Sequence, residues 1–192
     1  MTPMLGIMAS QISGHLYTLT GNYDSIQTVS DGSGGQSTIT FSSIPTTYKH
    51  LQIRFIARDD GPGTGASDLL LRFNSDTGSN YIWHALYGNG TTAGSTGIGT
   101  ATTATRMGYA TEGGSSANMF SGFVTDILDY KNTNKYKVHR TIGASERNGS
   151  GNILFESGLW NSTSAITQID ITHAGAYNFN TYSSFALYGI KG

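Results

Sequence analysis

The sequence predicts an all-β protein: a single antiparallel β-sandwich, jelly-roll-like, with a short apolar N-terminal arm and long Gly/Thr/Ser loops. Three observations carry that expectation. Apolar residues recur at every second position in short runs, the spacing of strands with one face in a core and one in water. Between those runs stand clusters of Gly, Asn, Asp, Ser and Pro, the residues that build turns. The 192 residues include 11 Tyr, 8 Phe and 2 Trp beside 26 Gly, and this aromatic content separates the chain from a disordered one of similar polarity. A chain of this length suits one domain, expected over residues 21–192 after an arm of residues 1–20.

Taken in order, the first stretch holds Met4, Leu5, Ile7, Met8 and Ile12. It lacks the basic n-region of a signal peptide, and Pro3 and Gly6 interrupt its apolar run. No apolar stretch approaches the roughly 20 residues that cross a bilayer, so no membrane association is expected. Met4, Leu5, Met8 and Ile12 would share one face of a helix. The arm either folds back onto its own sandwich or inserts into a neighbouring subunit.

Residues 23–29 read as a strand, and residues 31–35 as a loose hairpin connection. In residues 36–58, Ile39 and Phe41 alternate with Thr38, Thr40 and Ser42; Leu51, Ile53, Phe55 and Ala57 alternate with His50, Gln52, Arg54 and Arg58. Pro45 lies between the two runs, which predicts a hairpin with a Pro-containing turn. Residues 59–65 are rich in breakers. Asp59 and Asp60 invite a Ca²⁺ reading, but the spaced oxygen ligands of a binding loop are missing, so a solvated turn is expected.

Residues 68–73 and 81–87 are the next strands. Tyr81, Trp83, Ala85 and Tyr87 share one side of the second, either as core or as a surface on which sugar rings stack, with Trp83, His84 and Tyr87 as candidate glycan contacts. Residues 88–118 are nearly all Gly, Thr, Ser and Ala, with Ile98, Arg106, Met107 and Tyr109 as anchors. A long loop of that kind is usually functional or disordered. The expectation is packing of Met107 and Tyr109 against a neighbouring copy or another protein; the alternative is that both belong to a strand of the same domain. Residues 120–130, 135–145, 152–160, 165–172 and 184–190 complete a set of about ten strands, with hairpin turns at residues 132–134 and 148–151.

Several stretches carry a resemblance. Residues 37–54 (STITFSSIPTTYKHLQIR), 2–13 (TPMLGIMASQIS), 72–81 (RFNSDTGSNY), 126–137 (DILDYKNTNKYK) and 186–192 (ALYGIKG) resemble virion structural proteins of tailed bacteriophages. Together they run from end to end of the chain. The resemblance implies a particle component, similar to both head decorations and tail-fibre modules, made in the host cytoplasm and located in the virion. It offers no counterpart for residues 87–118.

Composition and spacing narrow the chemistry. Lys plus Arg is 11 against 12 Asp plus Glu, so the basic patch that neutralises phosphates is missing and nucleic-acid binding is not expected. Lys131, Lys135, Lys137 and Arg140 read as solvent positions along one strand. Cys is 0, which removes disulfides, thiolate metal sites and cysteine nucleophiles. No Gly-x-Ser-x-Gly elbow, G-x-G-x-x-G or P-loop pattern is present. The five histidines stand singly, without zinc-site pairing. Asp126, Asp129, Glu146 and Glu156 are the acids that a glycosidase would need, although their ordinary role is pairing with Lys135, Lys137 or Arg140. No cofactor, metal or enzymatic activity is expected. Two readings remain: a homotrimeric decoration (cement) protein bridging capsid subunits, contacting itself and the major capsid protein or other virion proteins, and a fibre-tip module binding host surface glycan.

Overall fold

The computed structural model describes residues 21–32 and 34–192. The expected arm, with Met4, Leu5, Ile7, Met8 and Ile12, lies outside the described residues. The described chain is an antiparallel β-sandwich without helices. Its strands are β1 (Tyr23–Ser30), β2 (Thr38–Phe41), β3 (His50–Ala57), β4 (Ala66–Phe73), β5 (Tyr81–Gly88), β6 (Ala93–Gly97), β7 (Thr105–Thr111), β8 (Ser121–Leu128), β9 (Lys137–Glu146), β10 (Gly151–Trp160), β11 (Ile169–His173) and β12 (Ser184–Ile190). Eight form one sheet in the order β1-β12-β3-β8-β9-β10-β5-β6, and four form the other, β2-β11-β4-β7.

Alternation decides which face is buried. Leu51, Ile53 and Phe55 of β3, Phe123 and Ile127 of β8, and Phe185 and Leu187 of β12 point inward from the large sheet. Ile39, Phe41, Leu69, Leu71, Phe73, Ile169 and Ile171 meet them from the small one, all of them fully buried. Phe55 stacks between Phe123 and Phe185 at centroid distances of 5.5 and 5.4 Å, and Tyr81, Phe73 and Trp160 form a second aromatic group.

The hairpin expected over residues 36–58 does not form. β2 pairs with β11 in the small sheet, whereas β3 pairs with β12 and β8 in the large one. Both runs present apolar residues to the same core from opposite sides, so the connection crosses between sheets. Ile44 is buried within that crossing. Residues 31–35 likewise join strands of different sheets, and no hairpin forms there either. The turns at residues 132–134 and 148–151 do join hairpins, β8 to β9 and β9 to β10.

Residues 88–118 order themselves within the domain, against the expectation of external packing. β6 pairs with β5, Thr102 bridges to Tyr81, and β7 forms the edge of the small sheet. Met107 is fully buried and offers no surface to a partner, and Tyr109 is half-buried against the same core. The irregular remainder is held by Arg58. Its guanidinium donates to the carbonyls of Ser116, Met119, Gly113 and Ser115 at 2.9, 3.0, 2.7 and 2.7 Å. Four backbone acceptors satisfied by one buried cation replace the apolar surface this segment lacks.

Lys137 works in the same way, contrary to its expected solvent position. It is fully buried, and its ammonium donates to the carbonyls of Asn132, Lys135 and Thr163 at 2.6, 2.9 and 3.0 Å. Asp59 also departs from expectation. It lies buried rather than in a solvated turn, accepting from the Gly61 amide at 2.8 Å and from the Ser67 hydroxyl.

Candidate interaction surface

The outer face of the large sheet departs from the usual polar exterior of a sandwich. Adjacent strands place Val124, Ile142, Phe155 and Leu86 in one cross-strand row. The next row holds Ile56, Gly122, Ala144, Ile153, Gly88 and Ala93. Ile142 and Ile153 are 62% and 63% exposed, Leu86 59%, Ile56 54% and Phe155 47%. From β8 to β6 these two rows contain no charged residue, and on β3 the first continues to the exposed Arg54, opposite Val124. Two depressions sharing Leu86 and Phe155 mark the surface. One, of about 440 Å³, is floored by Ile142, Ile153, Gly88 and Ala93; the other, of about 490 Å³, is lined by His84, Ser95, Gly97 and Ser157. Contiguous exposed apolar area of this kind marks interaction sites in folded proteins.

Polar groups bound the patch on one side. Arg140 donates to Asp126 at 3.1 Å, and Gln52 donates to the other oxygen of that carboxylate at 2.8 Å. Asp129, in the turn after β8, faces Lys135 at 3.0 Å and Lys49 at 3.3 Å, and these cations hold its carboxyl below the usual range. The expected pairings of Asp126 and Asp129 with Arg140 and Lys135 are therefore present.

The candidate glycan contacts separate. His84 lies on the exposed outer face, beside Phe155 and Ser157. Trp83 points the other way, into the core, with the Arg106 guanidinium 4.2 Å above its ring. Tyr87 is half-buried and packs against the core. Trp83 and His84 are consecutive on one strand, so they cannot share a face, and the side chain that joins His84 on the surface is Phe155. Its exposure follows from the strand alternation of β10, a signal legible once Leu154 and Glu156 are assigned inward.

Beneath the opposite side of the same sheet lies a charged group that sequence spacing did not reveal. Glu156 is fully buried and accepts from Nε of Arg106, whose side chain is 7% exposed and whose Nη1 reaches Asp68 at 3.4 Å. Burial pushes the Glu156 carboxyl up to about 7, against the pull of Arg106. His139, hydrogen-bonded to Thr105 Oγ1 at 2.9 Å, is driven down to about 4 by burial. Asp126 and Glu156 thus point to opposite sides of one sheet and do not form a glycosidase pair.

Asp59, Ser67 and His173 have the composition of a hydrolytic triad but not its relay. Nδ1 of His173 lies 3.5 Å from both the Ser67 hydroxyl and the Asp59 carboxylate, while Ser67 donates directly to Asp59. The imidazole is not interposed between nucleophile and acid as proton transfer requires. Its Nε2 is buried without a partner among the described residues, and its ring packs on Phe179 at 4.2 Å. Among the described residues, no three His, Asp or Glu side chains are grouped to hold a metal ion. The chain matches no protein-family model, no curated protein and no solved structure.

Proposed function

We propose that this chain is a virion structural protein of a tailed bacteriophage, a decoration (cement) protein that stabilises the head by bridging capsid subunits. The observation that carries this reading is the apolar patch that Ile142, Ile153, Phe155 and Leu86 form on the outer face of β9, β10 and β5, which supports a role in holding surfaces together. Its mechanism is burial at a seam. At about 25 cal/mol per Å² of apolar area removed from water, a standard interface of roughly 1,600 Å² outweighs the cost of association, and many identical copies multiply modest single-site affinity. The partners are the major capsid protein and other copies of this chain. The experiment is purification of particles with the chain carrying Ile142→Ser and Ile153→Ser. Both side chains are mostly exposed, so the domain keeps its fold while occupancy falls sharply; normal occupancy of the double variant contradicts the reading.

A second reading has one observation of its own. The depression lined by His84, Phe155, Ser157, Ser95 and Thr96 sets an exposed aromatic ring among hydroxyls and an imidazole, the combination on which a sugar stacks and hydrogen-bonds. In that case the chain is a fibre-tip module for host surface glycan. Binding to a glycan array that is lost in both Phe155→Ala and His84→Ala favours this reading, and binding that is equal in wild type and variants removes it.

A further inference from the structure

We propose that β6 is a seam at which two copies of this chain pair edge to edge, joining their eight-stranded sheets across a two-fold axis. The inference rests on the proposed structural role and names one partner and the strand that meets it. Among the described residues, β6 ends the large sheet and is paired on one side only, with β5. Asn89 donates to the Thr92 carbonyl at 3.1 Å and Ile98 to the Trp83 carbonyl at 3.0 Å. Between those two points the alternation of an antiparallel ladder turns the amides and carbonyls of Gly94 and Thr96 toward β5. Those of Ala93, Ser95 and Gly97 face away, a row of three residues open to a further strand.

Sheet edges ordinarily carry a device against such pairing: a charge, a proline, a bulge or very short length. The other edges have one. β1 is bulged between Ser25 and Gln27 and carries Asp24, β2 is only 4 residues long, and β7 is bulged where Met107 and Gly108 lie opposite Leu69 of β4. β6, at 5 residues, is short but carries no charge, no proline and no bulge. From Thr77 through Thr105 the chain contains no Asp, Glu, Lys, Arg or Pro. The strand is also narrow, with glycine at 94 and 97 and exposed small side chains at Ala93 and Ser95.

The chosen occupant is a second copy because the edge is self-complementary. An antiparallel partner centred on Ser95 sets residues 93–97 against residues 97–93 of the other chain, small against small and uncharged against uncharged, as an isologous interface requires. The apolar rows end at this strand, with Leu86 opposite Ser95 and Gly88 opposite Ala93. Pairing therefore makes the two apolar faces continuous and doubles the width presented to a shell. It gives a two-fold unit in place of the three-fold one expected above.

Sedimentation equilibrium of the purified full chain tests the seam. The wild type, with a chain mass of 20.4 kDa, should run at twice that mass at about 100 μM, and Ser95→Lys should weaken self-association by about tenfold or more. Ser95→Pro is the second variant: its lost N–H points away from β5, so the sheet survives and only the seam is blocked. Thr28→Lys, on the β1 edge, should leave the dimer unchanged. A wild-type mass of one chain or three overturns the proposal, as does a Ser95→Lys chain that stays dimeric. Absence of the chain from phage particles contradicts the proposed role and leaves the seam standing, so the two failures are separable.

Discussion

Replacing Arg106 with Met tests the buried charge group beneath the candidate surface. Glu156 is fully buried and its Oε2 has no partner among the described residues, so Arg106 is its main compensation. Arg106→Met keeps most of the packing beneath Trp83 and removes the counter-charge. Breaking a buried pair from one side costs about 3–5 kcal/mol, because the remaining charge is left uncompensated. That is a large share of the roughly 5–15 kcal/mol that holds a typical domain together. The remaining Glu156 escapes the penalty by binding a proton. Its folded pKa, already up at about 7, then rises further, so the cost of Arg106→Met shrinks as pH falls from 8 to 5. Urea unfolding followed by Trp83 and Trp160 fluorescence reads the loss. Adding Glu156→Leu should recover most of it, since an apolar pair of similar volume carries no orphan charge. A single-variant cost under about 1 kcal/mol, or a double variant as weak as the sum of both singles, refutes the reasoning.

Three further outcomes are expected. His139 has a folded pKa of about 4 against 6.5 unfolded, so its contribution is present above pH 6.5 and lost as pH falls through 4. The shift is worth about 3 kcal/mol. Glu156, shifted upward, acts in the opposite direction between pH 4.5 and 7, so the difference between wild type and His139→Met, not the wild-type curve alone, isolates the histidine; equal pH slopes would contradict it. Arg58→Gln should release the backbone of residues 113–119, seen as amide hydrogen exchange faster by about tenfold or more there with β3 and β12 unchanged. Gly158→Ala drives a methyl into His139 Nε2 and Thr105 Oγ1 and should cost about 3 kcal/mol or more by thermal unfolding, whereas Gly122→Ala, on the open outer face, should cost little.

Strand existence was legible because alternation is local: β12 is found at the residues its pattern predicts, and β5 and β10 to within one residue at an end. Pairing was less legible. The β2 and β3 runs show the same alternation whether they form one hairpin or face each other across a core, and only the whole set of strands decides it. The order of residues 113–119 is not legible locally because it comes from the distant Arg58, which reads as one more outward residue on a strand. Lys137 misled for the same reason: three carbonyls brought together by a turn and a separate loop make a buried ammonium acceptable. At the candidate surface, Trp83 drew attention as the larger aromatic. Phe155, on a strand whose inward positions include a glutamate, gave no sign in isolation that it faced outward.

Particle reconstruction with the chain located in it measures the central proposal most directly. The account predicts Ile142, Ile153, Phe155 and Leu86 buried against the shell, with β6 of one copy beside β6 of the next. A chain fixed to the particle through the opposite, four-stranded side, with that apolar face open to solvent, would contradict it.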